Sequence, residues 1–247
     1  MPRYVLGVAL AVCFLVSFVA SAPARMLALL LPEEQVLMQA FNGTVWSGSA
    51  GRCMVRTAAG YLHLGAVQWS LEPLSLLLFA PRLELSSAWG DQRLSGDLVL
   101  RGADGIDLHD FDAQLSAELV RQVVPVNLRG TLSAQLQSLL LRDNVPVAGS
   151  GRLVWRNAGW VSPQGVLPLG DYALDFDQPA GDPLQGQVLT LSGPVQASGE
   201  VTLVERSYSV DILVRTERAL QPQLAQALSL IAAPDQGGYR LEVSGDI

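Results

Sequence analysis

Residues 110–119, DFDAQLSAEL, put Phe111, Ala113, Leu115, Ala117 and Leu119 at every second position, with Asp110, Asp112, Gln114, Ser116 and Glu118 between them. Successive side chains of a strand point to opposite faces, so the stretch predicts a strand with one oily and one wet face. The same alternation recurs outward along the chain. Val126, Leu128, Leu132, Ala134 and Leu136 alternate with polar residues, as do Tyr208, Val210, Ile212 and Val214, and then Tyr239, Leu241 and Val243. A Gly-x-Leu/Val unit is expected to open several strands, at Gly96, Gly130, Gly151, Gly186 and Gly199, where glycine permits a bulge or bend. The units have no fixed period, which argues against a solenoid.

Helical signal is thin. Leu220, Leu224, Ala227, Leu228 and Ile231 share a 3.6-period face between Pro222 and Pro234, predicting one short helix packed on the sheet. Pro- and Gly-rich connections near residues 158–168 and 179–186 are candidate loops and a candidate boundary between two sheet halves, although one continuous sheet is the simpler arrangement. The fold class is therefore mainly β: a curved, largely antiparallel sheet with one short C-terminal helix, preceded by a single N-terminal transmembrane helix.

That last element comes from residues 4–22, YVLGVALAVCFLVSFVASA, which carry no charge and are bracketed by Arg3 and Arg25. As a helix at ~1.5 Å per residue the segment would reach roughly 28 Å, close to the ~30 Å hydrocarbon thickness. Two readings compete. Ala20-Ser21-Ala22 has the small-x-small form of a leader cleavage site, but Pro23 directly after it disfavours cleavage, which favours an uncleaved anchor. The organisation expected is a cytoplasmic tail at 1–3, a signal anchor at 4–22 and an extracytoplasmic β-rich domain at 23–247. Met26 to Leu31 is apolar but too short to span, and either extends the helix or lies at the interface.

The chain has 247 residues and a net charge of −7, with 16 basic residues, all Arg. Its length supports a sizeable core without metals or disulfides. The acidic balance argues against nucleic acid as a partner. Cys13 in the apolar segment and Cys53 outside it cannot meet, so Cys53 reads as a small buried hydrophobe.

Reactive constellations are scarce. His63 and His109 lack partners at metal-ligand spacing. Asp110-Phe111-Asp112 and Asp175-Phe176-Asp177 read as solvated strand faces rather than a calcium or carboxylate site. Gly48-Ser49-Ala50-Gly51 lacks the spacing of a nucleophile elbow. No catalytic residue, cofactor or metal is expected, and the chain is not read as an enzyme. Asn42-Gly43 predicts a tight hairpin turn. Beyond it stand the most distinctive residues: Gly43-Thr44-Val45-Trp46-Ser47-Gly48, then Trp69-Ser70-Leu71-Glu72-Pro73-Leu74. Gly43, Thr44, Trp46, Gly48, Trp69, Pro73 and Leu74 are the candidate partner-contact or structural motif, because tryptophans both plug cores and anchor interfaces.

These two segments resemble the protein N family of the bacterial type II secretion system. Gly151-Arg152-Leu153-Val154-Trp155, Leu169-Gly170-Asp171-Tyr172 and the late Gly-x-Tyr-x-Leu-x-x-x-Gly ending at Gly245 extend the similarity over nearly the whole chain. The resemblance implies a non-enzymatic inner-membrane protein with its bulk in the periplasm. It also implies contacts with other secretion components, the inner-membrane platform or the secretin, during export of folded proteins. The alternative reading is a periplasmic lipid-handling protein, in which a partly uncovered apolar sheet face forms a groove for acyl chains.

Overall fold

The computed structural model describes residues 7, 10, 13–14, 17–29, 36–57, 60–102, 105–122, 127–143, 145–162, 165–216, 228–229, 232–235 and 237–246. The chain divides into two compact units, Met1–Trp89 and Gly90–Ile247.

In the first unit, β1 (Val36–Gly43), β2 (Ser47–Thr57), β3 (Gly60–Leu71) and β4 (Arg82–Trp89) pair antiparallel in chain order, with the short helix α1 (Pro73–Leu77) between β3 and β4. A 3₁₀ segment, Ala24–Leu29, precedes β1. Ala24, Ala50 and Trp69 form the core of this unit, with Leu27, Met38, Phe41, Leu83 and Leu85 packed around them. Within residues 24–29 the chain packs on the sheet through Ala24 and Leu27, while residues 30–31 of the expected apolar patch lie outside the described residues. Cys53, 1% exposed, is a buried free thiol as its sequence context implied.

The second unit contains β5 (Gln92–Arg101), β6 (Gly105–Ser116), β7 (Leu128–Arg142), β8 (Val145–Ser162), β9 (Gly165–Gln178), β10 (Leu184–Ser192), β11 (Val195–Val204), β12 (Ser207–Thr216), β13 (Ala233–Asp235) and β14 (Gly238–Asp246). Neighbours again follow chain order, except that β14 lies between β12 and β13. The pairing is antiparallel, and no pairing closes the series among the described residues. Pro234 sits in β13, the edge strand, where a missing N–H costs no ladder bond.

Bulges reconcile the sequence pattern with the sheet. Asp97 pairs with His109 but Ser95 pairs with Asp112, so β6 carries an extra residue at Asp110, whose φ is +46°. One extra residue reverses the parity of a strand, which brings Leu108 and Phe111 to the same apolar face.

Several expectations are corrected. The alternation through Leu119 does not mark one strand: β6 ends at Ser116 and Ala117–Gln122 is a 3₁₀ turn, seated by the buried Ala117. Residues 158–168 are mostly strand, because β8 runs to Ser162 and β9 starts at Gly165. Gly151 and Gly199 lie inside strands, not at their starts, and Gly96 and Gly130 sit at register shifts. Asn42 and Gly43 belong to β1, paired with Ser49 and Gly48, so the turn is Thr44–Trp46. Of residues 222–234, where the C-terminal helix is expected, 228–229 and 232–234 are described. Leu228 and Ser229 are helical, and Leu228 O accepts from the Ala232 N–H at 2.8 Å, while Ala233 and Pro234 already belong to β13.

Of residues 4–22, the described positions 7, 10, 13–14 and 17–20 are helical, and Leu10, Phe14 and Phe18 are exposed. Among the described residues no helix is long and apolar enough to cross a membrane.

Candidate functional site

The Thr44–Trp46 turn gathers most of the distinctive residues. Thr44 N–H donates to the Ser47 carbonyl at 2.9 Å, and Ser47 N–H returns a bond to Thr44 Oγ1 at 3.1 Å. Gly43 enters the turn with φ +86°, a left-handed conformation in which a Cβ would stand 2.6 Å from the Ser47 carbonyl oxygen. Gly48 leaves it under the Trp69 ring, where a Cβ would fall 2.6 Å from Cζ2.

The two tryptophans work in opposite directions. Trp69, 5% exposed, meets Phe41 edge-on at 6.3 Å and donates its indole N–H to the Val45 carbonyl at 3.1 Å. It ties the turn down to the core. Trp46 donates its indole N–H to the Val19 carbonyl at 2.8 Å. Val45 N–H donates to the Ala22 carbonyl at 2.9 Å, and Thr44 forms an isolated bridge with Pro23. The Val19 carbonyl, in the last turn of the N-terminal segment, also accepts from Ala22 N–H at 3.2 Å, so the Trp46 indole adds a second, tertiary bond at that helix end. The turn is thus a clamp joining the end of that segment to the sheet.

Pro73 and Leu74 stand apart from the clamp, in the β3–β4 connection. Pro73 opens α1, where the absence of an N–H is tolerated. Ser75 is buried and its hydroxyl donates to the Glu72 carbonyl at 2.5 Å and accepts from Arg82 N–H at 2.8 Å. That pin leaves the apolar neighbours outside: Leu74, Leu77, Leu78 and Phe79 are 69%, 75%, 79% and 89% exposed.

Several charged residues are engaged in structure. Asp175 forms a two-pronged pair with Arg152, at 2.5 and 2.6 Å. Asp171 accepts from Ser192 Oγ at 2.7 Å and from Asn157 N–H at 2.6 Å, and these bonds hold its carboxyl below the usual range. It thereby satisfies the β8 bulge between Trp155 and Ala158, which accounts for the Leu169-Gly170-Asp171-Tyr172 motif in local terms. His63 stacks on Trp89 at 6.3 Å. Among the described residues no group of three His, Cys, Asp or Glu side chains is placed to hold a metal.

The pattern alone missed a buried charge cluster. Asp107, with its side chain 8% exposed, receives Arg101 Nε at 2.9 Å and Arg142 Nη1 at 2.8 Å. Burial pushes its carboxyl up, but the hydrogen bonds from Arg142 and Arg101 outweigh that and hold it below the ordinary value. Register is the missing signal: Gly105 pairs with both Arg101 and Arg142, which brings both guanidiniums beside Asp107.

The apolar face of the second unit is not sealed. Leu115, Leu132, Leu153, Trp155, Leu174 and Val188 line an apolar hollow of about 320 Å³, and Leu153 remains 38% exposed. Tyr172 stands there with its hydroxyl donating to the Val195 carbonyl at 2.9 Å, and burial, then the neighbouring Asp171, raises its phenol to about 12.

Residues 34–242 match the family model described as type II secretion system (T2SS), protein N. The chain belongs to the type II secretion system protein N family. It is therefore a component of a type II secretion system. The match spans both units and includes the Thr44–Trp46 turn, the exposed β3–β4 connection and the Asp107 cluster, but begins after Val19, Ala22 and Pro23. The protein named type II secretion system protein N in Aeromonas hydrophila is 29% identical over 226 residues, covering 88% of this chain and 87% of that protein. The proteins of the same name in Klebsiella pneumoniae and Pectobacterium carotovorum subsp. carotovorum are 28% and 27% identical, over 68% and 67% of this chain and 65% of each relative. No solved structure matches the chain.

Proposed function

We propose that the protein is a non-enzymatic tether in the type II secretion pathway. Residues 4–22 cross the inner membrane once, residues 1–3 remain in the cytoplasm, and residues 23–247 stand in the periplasm. There the β units contact other secretion components, of the inner-membrane platform or the secretin, during export of folded proteins. The observation that supports this most is the clamp. A sheet hydrogen-bonded to the end of an uncharged segment, through Trp46 to Val19 and Val45 to Ala22, couples a bilayer anchor to a binding module. Gly43, Thr44, Trp46, Gly48 and Trp69 build that coupling, while Pro73 and Leu74 lie on the surface beside it.

Partner contact runs along a sheet edge. β1 is paired only with β2 among the described residues, and Gln39 and Asn42 are exposed on it. A free strand edge accepts another chain by strand addition. Photo-crosslinkers placed in cells at Gln39 and Asn42 are expected to capture platform or secretin subunits, identified by mass spectrometry. Recovery of none of these from a correctly inserted protein would overturn the tether reading. A carbonate wash that releases the full chain from membranes would overturn the anchor.

The open apolar hollow favours a second reading, a lipid-handling role for the second unit. Phospholipid retained by the detergent-purified chain, and lost when Leu153→Asp is introduced, would support it.

A further inference from the structure

We infer that the β3–β4 connection is a second membrane contact, a shallow apolar foot that enters the lipid interface beside the anchor. Between Glu72 and Arg82 the chain reads PLSLLLFAP, without a charge. Its large side chains face outward. Leu74, Leu77, Leu78 and Phe79 are each at least two-thirds exposed, and Leu76 is 38% exposed. Apolar side chains gathered on one exposed tip are unusual for a surface facing only water, and such a patch marks an interaction site.

The exposure is built in. Ser75 is the buried residue of the connection, and its two hydrogen bonds fix the turn so that the apolar residues cannot fold under it. Glu72 N–H also bonds the Arg82 carbonyl at 3.0 Å, closing the base.

Position selects lipid as the occupant. Leu71, the last residue of β3, donates its N–H to the Trp46 carbonyl at 2.6 Å, and Trp46 holds Val19. The foot and the end of the apolar segment thus leave the same end of the first unit, one hydrogen-bonded turn apart. If the segment spans the bilayer, its end lies at the headgroup level, and the foot is carried to the same depth. Leucine and phenylalanine on a protruding tip partition into that zone. The inference rests on the anchor reading proposed above.

The test uses the full chain with Cys13→Ser, in vesicles of phosphatidylethanolamine and phosphatidylglycerol. An environment-sensitive fluorophore is attached through Leu78→Cys, Leu10→Cys or Arg52→Cys, each examined alone, and doxyl-labelled lipids serve as depth quenchers. The native Cys53 is buried, and its resistance to labelling confirms the fold in each variant. The Leu78 label is expected to shift to the blue and to be quenched by shallow doxyl groups at least twofold more than the Arg52 label. The Leu10 label is expected to be quenched by deep doxyl groups. A deep Leu10 label with a Leu78 label that stays in water overturns the foot and leaves the anchor intact. Water exposure at both positions overturns the anchor as well. A Leu78 label shielded only after other secretion components are added overturns the lipid assignment in favour of a protein partner.

Discussion

Truncating Trp69 is the sharpest perturbation of the first unit, because one side chain serves both its core and its clamp. The indole is 5% exposed, packs on Phe41 and over Gly48, and donates to the Val45 carbonyl. A large buried aromatic removes up to ~250 Å² from water, about 6 kcal/mol at ~25 cal/mol/Å² as an upper value. Measured core truncations of this size cost about 3–5 kcal/mol, and that is the range expected for Trp69→Ala. Trp69→Phe keeps the ring against Phe41 and loses the N–H bond, for about 1–2 kcal/mol. Cys53 reports the effect from inside the same unit, since it is 1% exposed and burial pushes its thiol up, so it reacts only when the unit opens. In a Cys13→Ser background, thiol-labelling rates of Cys53 should rise by a factor of about 100 or more for Trp69→Ala, and about 5–30 for Trp69→Phe. A change of less than about fivefold in the alanine variant, with the β-sheet circular dichroism intact, would refute the view that Trp69 holds this unit together.

Other perturbations probe separate parts of the chain. Trp46→Phe removes the bond to Val19 but leaves Trp69 in place, so Cys53 protection should be preserved while trypsin cleavage after the exposed Arg25 accelerates severalfold. Asp107→Asn should lower stability at neutral pH by about 1–3 kcal/mol, read from urea unfolding. The folded Asp107 carboxyl lies below its unfolded value of ~3.9, so its contribution is present above that pH and is lost as pH falls through the folded value. The Asn variant should therefore show a flatter acid limb, and an unchanged limb would count against the cluster. Tyr172 is expected to ionise at about 12 in an ultraviolet titration of the native protein. Its stabilising effect is complete below the unfolded value of ~10 and is lost as pH rises through the folded value, and Tyr172→Phe should abolish the step.

The strand pattern was legible where one face meets water, as at Phe111, Ala113 and Leu115, because a half-buried strand must alternate. It misled at Ala117 and Leu119, where a 3₁₀ turn happens to preserve the apolar spacing. Asn42-Gly43 has the composition of a two-residue turn, yet the pairing of Gly43 with Gly48 and the Thr44–Ser47 bonds move the turn onward. The candidate motif was legible as a set of residue types, but the direction of each indole was not. Trp46 and Trp69 differ by whether a neighbouring backbone places a carbonyl outside or inside the core. The Asp107 cluster depended on register across β5, β6 and β7, which single-strand periodicity does not carry. Of the foot, Pro73 and Leu74 were picked out as motif residues, but its outward orientation depended on the burial of Ser75.

The clamp also has a mechanical meaning. Tension on the N-terminal segment, as from movement of an assembly to which the sheet is attached, loads the Trp46, Val45 and Thr44 linkages before it reaches any ladder bond. Few links sharing a load give way at lower force than a full strand pair. The junction would then act as a mechanical fuse, detaching the segment from the sheet while leaving the sheet itself folded.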